Sequence, residues 1–354
     1  MAKSIRIEQV EIGAGSPPFI VAELSGNHNG SLDRALELVD KAADAGVSAI
    51  KIQTFTPDTI TLPIKSGRFY IDDPKSLWHG KSLYELYQVG QTPYEWHKAI
   101  FERCRKKGLI GFSTPFDVTA VDFLESLNVP CYKIGALEIS DHELIKKCAA
   151  TKKPLIISAG AVTLSEIDET VRIARENGCT DLILLHCLKA YPADPAEFHL
   201  KKIPHLAALF DCIVGISDHS PGIGVAIASI SHGACLIEKH LTLSRKEKVI
   251  DSDFSLEPTE MKQLVEESKR AFVAQGSATF GITPSEELER TFRRSLYFAE
   301  KLAPETVITR AHIRSVRPGG GLEPKYIDAV IGQKVQKGVE YGDPVTWEVF
   351  QCRK

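Results

Sequence analysis

The sequence lacks both a long hydrophobic run and an excess of charge of one sign. No apolar segment approaches the roughly 20 residues that a membrane-spanning helix needs, and the first residues, MAKSIRIEQVEIG, contain no apolar signal-peptide core. Lysines and arginines number 43 against 46 aspartates and glutamates, so the basic footprint of a nucleic-acid binder is missing. We therefore expect a cytoplasmic protein whose partners are small molecules, with no nucleic acid and no membrane among them.

Closely spaced cysteines are missing as well. The eight cysteines of the 354-residue chain stand singly, without a CxxC pair, which disfavours a disulfide framework or a cysteine-based zinc site. Most of them are expected to be small hydrophobic residues of the core. With 43% hydrophobic residues the chain can bury one large core, and an α/β barrel would use about 250 residues of it.

The chain does have a regular alternation of short β-branched runs and amphipathic helical segments between residues 19 and 275. The runs are FIVAEL (19–24), AIKIQTF (49–55), LIGFST (109–114), CYKIGA (131–136), PLIISAG (154–160), DLILLHCL (181–188), CIVGIS (212–217) and CLIEKHL (235–241). Strands that alternate with helices form parallel βαβ units, and eight such units close into a TIM (β/α)8 barrel. An open doubly wound sheet is the alternative, although no GxGxxG follows the first run.

The pattern changes after Gly281. The segment ITPSEELERTFRRSLYFAE is polar, and the residues beyond it form short β-like pieces broken by proline and glycine. We predict a barrel domain at residues 1–280, a linker at 281–290 and a small second domain at 291–354. Residues 56–93 are rich in Pro, Gly and aromatic residues, and a loop that long is usually functional or mobile.

Polar side chains gather at the carboxyl ends of the predicted strands, where the catalytic groups of this fold lie. Strand side chains point alternately inward and outward, so Lys51 and Gln53 share the inner face while Lys239 points outward. The strand-end residues are Glu23, Lys51, Gln53, Ser113, Thr114, Lys133, Glu138, Ser158, Lys189, Tyr191, Ser217, His219, Glu238 and His240. Because such groups are costly to bury without partners or a ligand, they predict a polar cavity.

Two histidines, His219 and His240, end neighbouring strands. They predict a catalytic divalent metal that keeps open positions for water and substrate, and a pair of hydrogen-bonded core histidines is the alternative. His28, in the loop after the first strand, is a candidate third polar contact. Lys51 and Lys133 fit either a phosphate or carboxylate site or the Schiff base of a metal-free aldolase, and the histidine pair favours the first.

Several segments of the sequence resemble the N-acetylneuraminate (sialic acid) synthase family. They are AELSGNHNGSLDRALELVDKAADAG, AIKIQTFTPDTITL, GFSTPFD, YKIGALE, GISDH, GIGVAIAS, IEKHLTLSR, FSLEP, RRSLYF and SVRPGGGLEPKY. The resemblance spans essentially the whole chain and implies a TIM barrel followed by a small C-terminal antifreeze-like (SAF) domain. It also implies a transferase that condenses phosphoenolpyruvate with an acetamido sugar aldehyde, giving a nonulosonic acid and phosphate by C–O cleavage of phosphoenolpyruvate.

The resemblance further implies roles for individual residues. His219 and His240 would hold a divalent metal, Mn²⁺ or Mg²⁺. The residues that would grip phosphoenolpyruvate are Lys51, Thr114, Lys133, Ser158 and Ser217. The polar groups at the reacting centre would be Glu23, Gln53, Glu138 and Asp251, and the aromatic wall would be Phe116 and Tyr191. Arg317 would enter the barrel mouth of a second subunit and bind an acetamido group of the sugar, which implies a domain-swapped homodimer.

Two positions depart from the family pattern. Ala136 in YKIGALE stands where a serine is usual, and Lys189 in HCLKAYP stands where Ser or Asn is usual. The fifth strand also reads SAGAVT where STGM is common. We expect Lys189 to bind substrate, as one charged donor in place of two neutral donors beside the phosphate. A different phospho-donor or a weakened activity is the alternative.

The sugar aldehyde is the open question. The expected one is 2,4-diacetamido-2,4,6-trideoxy-altrose, the precursor of pseudaminic acid, and its legionaminic counterpart and N-acetylmannosamine are the alternatives. The aromatic loop 67–90 and the stretch RKEKVIDSDFSL are expected to set this choice, as loops over a barrel mouth commonly do. A carbohydrate-binding protein with a silent barrel is disfavoured, because such a barrel could carry Val and Leu at its strand ends at lower cost.

Overall fold

The computed structural model describes residues 3–350, and its largest feature is a closed barrel of eight parallel strands. An antiparallel hairpin, β1 (Ser4–Ile7) and β2 (Val10–Gly13), precedes the barrel. The barrel strands are β3 (Phe19–Glu23), β4 (Ala49–Thr54), β5 (Ile110–Pro115), β6 (Tyr132–Ile134), β7 (Leu155–Ala159), β8 (Leu182–Cys187), β9 (Ile213–Asp218) and β10 (Leu236–His240). Because β10 pairs with both β9 and β3, the cylinder is closed. The predicted TIM barrel is confirmed, and the alternative of an open sheet is wrong.

Helices connect the strands and cover the outside of the barrel. They are α1 (Leu32–Ala45), α2 (Pro57–Ile60), α3 (Leu83–Gly90), α4 (Tyr94–Lys106), α5 (Val118–Ser126), α6 (His142–Ala150), α7 (Leu164–Glu176), α8 (Lys202–Phe210), α9 (Gly224–Ile230) and α10 (Pro258–Gln275). The first begins where Ser31 accepts a hydrogen bond from the Arg34 amide and ends at Gly46, whose φ of 82° suits glycine. The long segment 56–93, predicted as a loop, contains α2 and α3. None of the helices within residues 3–350 is long and apolar enough to cross a membrane.

The barrel core has two layers. The outer layer fills the space between the strands and the helices. The inner layer fills the amino end of the cylinder and consists of Phe19, Val21, Ala49, Ile110, Phe112, Cys131, Ile156, Ile183, Leu185, Ile213, Cys235 and Leu236, joined by Ile5, Ile7 and Ile12 of the hairpin. This apolar floor leaves only the carboxyl end of the barrel for polar side chains.

The chain divides into two compact units, Met1–Gly276 and Ser277–Lys354. The second unit contains α11 (Pro284–Arg290), β11 (Ser295–Phe298), β12 (Ile313–Val316) and α12 (Ile327–Val330). The two strands pair antiparallel. Its separate hydrophobic core is formed by Leu296, Phe298, Leu302, Ile308, Ile313, Val330, Val335, Val339, Val345 and Val349.

Candidate active site

A cavity of about 350 Å³ opens at the carboxyl end of the barrel strands. Most of the residues predicted for the site line it: Lys51, Gln53, Thr114, Phe116, Lys133, Glu138, Ser158, Lys189, Tyr191, Ser217, His219, His240 and Asp251. Of the other two, Glu23 is fully buried and reaches the cavity through its bond to Lys51. Arg317 is exposed in the second unit, just after β12.

Glu238 lies between the two lysines that were expected to bind an anion. The Lys133 Nζ atom is 3.0 Å from each carboxylate oxygen of Glu238, and the Lys51 Nζ atom is 3.6 Å from Oε1. Ser217 donates a hydrogen bond to the same oxygen at 3.2 Å. Burial opposes the ionisation of Glu238, but the two ammonium groups outweigh it and lower its pKa to about 2. The expected anion pocket is therefore already partly neutralised by a carboxylate of the chain.

Glu23 forms the second carboxylate contact of this cluster. Its Oε2 atom lies 2.6 Å from Lys51 Nζ, while Oε1 accepts hydrogen bonds of 3.1 Å from the Gln53 side chain and the Ser25 amide. Burial raises the pKa of Glu23, and the attraction of Lys51 offsets this only in part. Of the two carboxylates beside Lys51, Glu23 is therefore the one that takes up a proton more readily.

Lys189 differs from the other two cavity lysines. It donates a hydrogen bond to the Tyr191 hydroxyl, and its Nζ atom lies 4.8 Å from the centre of the Tyr191 ring. Among residues 3–350 no carboxylate forms an ion pair with it. The two departures from the family pattern, Ala136 and Lys189, line the same cavity. Lys189 is thus a cation of the cavity that an incoming anion can approach without displacing a carboxylate.

The two histidines expected to bind a metal lie side by side on the cavity wall. The ring centres of His219 and His240 are 5.3 Å apart. His219 Nδ1 lies 3.1 Å from the Leu188 carbonyl oxygen, so Nδ1 carries the proton and Nε2 keeps its lone pair. His240 Nδ1 is buried and has no hydrogen-bond partner within residues 3–350. These are not a satisfied pair of core histidines.

Both imidazoles are held in the neutral form that binds metals. Burial lowers the pKa of His219 to about 3, and burial together with the neighbouring His219 lowers the pKa of His240 well below its ordinary range. Within the part of the chain that the structure describes, no group of three or more His, Cys, Asp or Glu side chains is placed to hold a metal. A cation at this pair would therefore take its remaining ligands from water or substrate.

His28, the candidate third polar contact, lies outside the cavity. Its ring packs edge-on against Trp96 at 5.5 Å, and its Nε2 atom is 3.4 Å from the Thr92 hydroxyl. It is absent from the cavity lining, and burial lowers its pKa to about 4. The polar loop around it, LSGNHNG, gave no signal that the ring turns away from the cavity.

Two loops meet over the mouth of the cavity. The Trp78 indole N–H donates a 3.0 Å hydrogen bond to the Ile250 carbonyl, and the Trp78 ring lies 5.6 Å from the Tyr191 ring. Asp251 follows in the same loop, and burial raises its pKa. Trp78 belongs to the predicted aromatic loop 67–90, and Asp251 to the stretch RKEKVIDSDFSL. Both segments therefore contribute to the cavity.

An aromatic and aliphatic wall faces the polar side. Phe55 packs edge-on against both Tyr87 and Phe116, with ring centres 5.6 Å and 5.1 Å apart. Leu137 and Ile250 extend this wall. Convergent polar groups opposite an apolar wall are typical of a small-molecule site. Phe55 lies one residue beyond the end of β4 and continues the alternation of Lys51 and Gln53. It was missed because only polar residues were sought at the strand ends.

The comparisons with known proteins agree with this geometry. The NeuB family profile matches residues 38–280, and the SAF domain profile matches residues 293–351. The chain is 39% identical over 333 residues to a pseudaminic acid synthase of Campylobacter jejuni, covering 94% of this chain and 96% of the relative. It is 34% identical over 347 residues to an N,N'-diacetyllegionaminic acid synthase of Legionella pneumophila, covering 96% of each.

A solved structure gives the same result. The sialic acid synthetase of Leptospira borgpetersenii, crystallised with citrate, superimposes with a TM-score of 0.72 at 32% identity, covering 82% of this chain and 95% of that one. The predicted SAF domain and the predicted family resemblance are both confirmed. The chain belongs to the NeuB family and carries a SAF domain at residues 293–351.

Proposed function

We propose that this chain is a transferase that condenses phosphoenolpyruvate with 2,4-diacetamido-2,4,6-trideoxy-altrose, giving pseudaminic acid and phosphate. The observation that carries the proposal is a single cavity in which three lysines lie beside two neutral histidines. Identity to the Campylobacter pseudaminic acid synthase, 39%, exceeds identity to the Legionella legionaminic acid synthase, 34%. Trp78, Leu137 and Ile250 line the cavity, and this apolar surface suits a sugar with a methyl group and two acetamido groups.

The lysines would bind the two anionic groups of phosphoenolpyruvate. Lys189 is the approachable cation, and it would take the phosphate together with hydroxyl donors from Thr114 and Ser158. Lys51 and Lys133 would take the carboxylate with Ser217, and Glu238 would give up part of its contact with them. Charge-assisted hydrogen bonds of this kind contribute about 1.5 to 3 kcal/mol each, enough to replace the contacts that Glu238 loses.

His219 and His240 would hold the divalent cation, Mn²⁺ or Mg²⁺. The residues fit such an ion because both rings are neutral, His219 Nε2 is left free by the Leu188 carbonyl, and the buried Nδ1 of His240 has no other partner within residues 3–350. A bound cation would supply Lewis-acid polarisation of the aldehyde oxygen and would orient the sugar. Phe254, whose ring lies 4.9 Å from His240 and 5.9 Å from His219, would exclude water from one side.

The condensation then follows from the positions of the two substrates. C3 of phosphoenolpyruvate forms a bond to the aldehyde carbon, water adds at the cationic C2 that results, and the C2–O bond breaks to release phosphate. Burial raises the pKa of Asp251 and of Glu138, so either carboxyl group can deliver a proton to the oxygen of the former aldehyde. Glu23, positioned by Gln53, would accept the proton of the attacking water.

Two assignments concern the rest of the chain. We propose that residues 1–280 carry the chemistry, that 281–290 is a linker, and that residues 291–354 act as a separate domain. Arg317, exposed just after β12, would bind an acetamido group of the sugar in the cavity of a second copy of the chain. The functional protein would then be a domain-swapped homodimer.

The proposal is tested by following phosphate release from phosphoenolpyruvate with Mn²⁺ and each of three aldehydes. These are the altrose derivative, its legionaminic counterpart and N-acetylmannosamine. We expect the altrose derivative to give the highest kcat/KM and EDTA to abolish turnover. Turnover that survives EDTA, together with borohydride trapping of a keto acid on Lys133 or Lys51, would instead establish a Schiff-base aldolase.

A further inference from the structure

A buried ion pair lies directly behind the histidine pair, on the outer face of the same two strands. The Lys239 Nζ atom is 2.9 Å from Asp218 Oδ2. Asp218 and Lys239 are opposite one another in the parallel pairing of β9 and β10, so His219 and His240 are the next residues along each strand. Neither charged residue lines the cavity, and the proposed chemistry uses neither.

The ammonium group of Lys239 also holds the backbone on both sides of His219. It donates a 2.6 Å hydrogen bond to the Ser220 carbonyl and lies 3.4 Å from the Asp218 carbonyl. The second oxygen of Asp218 accepts hydrogen bonds from the Ser220 amide at 2.8 Å and from its hydroxyl at 2.6 Å. The Lys239 Nζ atom, on the strand that carries His240, therefore contacts the backbone both before and after His219.

Stability alone does not account for an ion pair in this position. Lys239 and Asp218 are 0% and 1% exposed, and burying two charges costs about as much as their attraction returns. Replacing a buried charge pair by apolar side chains of similar volume is often neutral in stability, so the attraction between the two charges is not what distinguishes this pair. What an apolar pair cannot do is bind the carbonyl groups of residues 218 and 220, which set the direction of the His219 Cα–Cβ bond.

We propose that Lys239 and Asp218 are positioning residues that hold His219 and His240 at the separation a shared divalent cation requires. The inference rests on the proposed function, because it takes the histidine pair to be the metal site. Outer groups that orient metal ligands typically change metal affinity by about 10- to 100-fold when they are removed. The effect on phosphoenolpyruvate is expected to be smaller, because the lysines of the cavity belong to β4 and β6 and to the residues after β8. Only Ser217 and Glu238 of that site adjoin the ion pair.

The test is Mn²⁺ binding by the full-length chain, measured from the electron paramagnetic resonance signal of free Mn²⁺. Lys239→Met alone would leave the Asp218 carboxylate buried with hydrogen bonds from Ser220 but no countercharge, and this variant is expected to be strongly destabilised. The informative variant is the double substitution Asp218→Leu with Lys239→Met, which removes both charges together. We expect its Tm to fall, because the buried Ser220 amide, hydroxyl and carbonyl lose these partners. Measured on the folded double variant, below that Tm, the Kd for Mn²⁺ is expected to rise about 10- to 100-fold.

A matched control comes from the outer face of another strand. Thr54, at the end of β4, makes buried contacts of 2.8 Å with His97 Nε2 and 2.6 Å with the Ser113 hydroxyl, two strands away from β10 in the barrel. Thr54→Val removes these contacts, and it is expected to leave the Kd for Mn²⁺ unchanged. A Kd that rises equally in Thr54→Val and in the double variant would show a general loosening of the barrel and overturn the inference.

Two further readouts separate the possible failures. If His219→Ala binds Mn²⁺ as tightly as the wild type, the metal proposal is overturned and the inference with it. If His219→Ala loses Mn²⁺ but the folded double variant retains wild-type affinity, only the inference is overturned. In the double variant the KM for phosphoenolpyruvate at saturating Mn²⁺ is expected to change less than the Kd for Mn²⁺, and a KM that rises as much as the Kd would contradict a role centred on the histidine pair.

Discussion

The amino and carboxyl ends of the same barrel strands have opposite chemical character. Along β10 the inward-facing residues run from Leu236 through Glu238 to His240, and along β4 they run from Ala49 through Lys51 to Gln53. The floor is thus dry and apolar, while the mouth is charged. Burying polar groups at the mouth costs stability that the floor must supply. A shift of two residues along one strand therefore separates side chains that stabilise the core from side chains that line the cavity.

The largest expected effect is a loss of stability when a core residue of the apolar floor is truncated. Phe112 is fully buried in the inner layer of the core. Phe112→Ala leaves a cavity, because the closed barrel cannot contract to fill the space of the lost ring. We expect the free energy of unfolding to fall by about 3 to 5 kcal/mol, measured by urea titration. The kcat/KM of the molecules that remain folded should be unchanged. A large loss of kcat/KM without a loss of stability would show that floor and mouth are not separable.

The next largest effect is a loss of activity when a lysine at the mouth of the barrel is removed. Lys133→Ala removes the ammonium that contacts both oxygens of Glu238 and, in the proposed mechanism, the carboxylate of phosphoenolpyruvate. We expect kcat/KM to fall by about 10²- to 10³-fold, because deleting one partner of a buried, hydrogen-bonded charge pair costs about 2 to 5 kcal/mol. Lys133→Arg, which keeps the charge, should recover part of the loss. An activity within a factor of two of the wild type would remove Lys133 from the site.

A smaller effect, on the KM for phosphoenolpyruvate, is expected when Lys189 at the mouth is removed. Lys189→Ala removes the cavity cation that forms no ion pair within residues 3–350. One charged donor is worth about 1.5 to 3 kcal/mol, so we expect the KM for phosphoenolpyruvate to rise roughly 10-fold or more. Adding Ala136→Ser to the same variant restores a neutral donor and should recover part of the KM. An unchanged KM in Lys189→Ala would exclude a phosphate role.

The smallest effect concerns acid, and it involves buried histidines both inside and outside the cavity. Burial lowers the pKa of His219 to about 3 and that of His28 and His97 to about 4. Because these folded-state values lie below the ordinary value of 6.5, the unfolded chain takes up protons first as the pH falls. Stability should therefore be fully present above pH 6.5 and decline below it, by at most about 1.4 kcal/mol per pH unit for each histidine.

Urea titrations at pH 7, 6 and 5 measure that slope. His97→Gln replaces the titrating ring behind β4 with a side chain that carries no proton in this range, and it should flatten the slope by the share of one histidine. His97 lies outside the cavity, so its replacement is expected to change the slope without changing the Kd for Mn²⁺. If the free energy of unfolding depends on pH with the same slope in His97→Gln and in the wild type, the lowered pKa of His97 is contradicted.

Strand periodicity predicted much of the barrel and of its inner face. Eight β-branched runs gave all eight barrel strands, and alternation placed Lys51 inward and Lys239 outward, as observed. The hairpin β1–β2 was missed because four-residue strands are too short to show a period. The two helices inside 56–93 were missed because Pro, Gly and aromatic residues hide their pattern.

Contacts between residues far apart in the chain could not be predicted from sequence patterns. Glu238 was placed on the inner face, but its bonds to Lys133 and Lys51 join positions 105 and 187 residues apart, and no local spacing predicts such contacts. The same holds for the way Asp218 and Lys239 converge on the Ser220 backbone. His28 is the opposite case. Its polar neighbours in the sequence suggested a site residue, but in the structure its ring is buried and packs against Trp96.

The metal and anion sites are tested most directly by a crystal structure of the chain with Mn²⁺ and phosphoenolpyruvate, with the metal located by anomalous scattering. We expect one manganese peak bound by His219 and His240, with the phosphate of phosphoenolpyruvate on Lys189 and its carboxylate on Lys51 and Lys133. Manganese bound away from this pair, or phosphoenolpyruvate bound outside the cavity, would contradict these assignments.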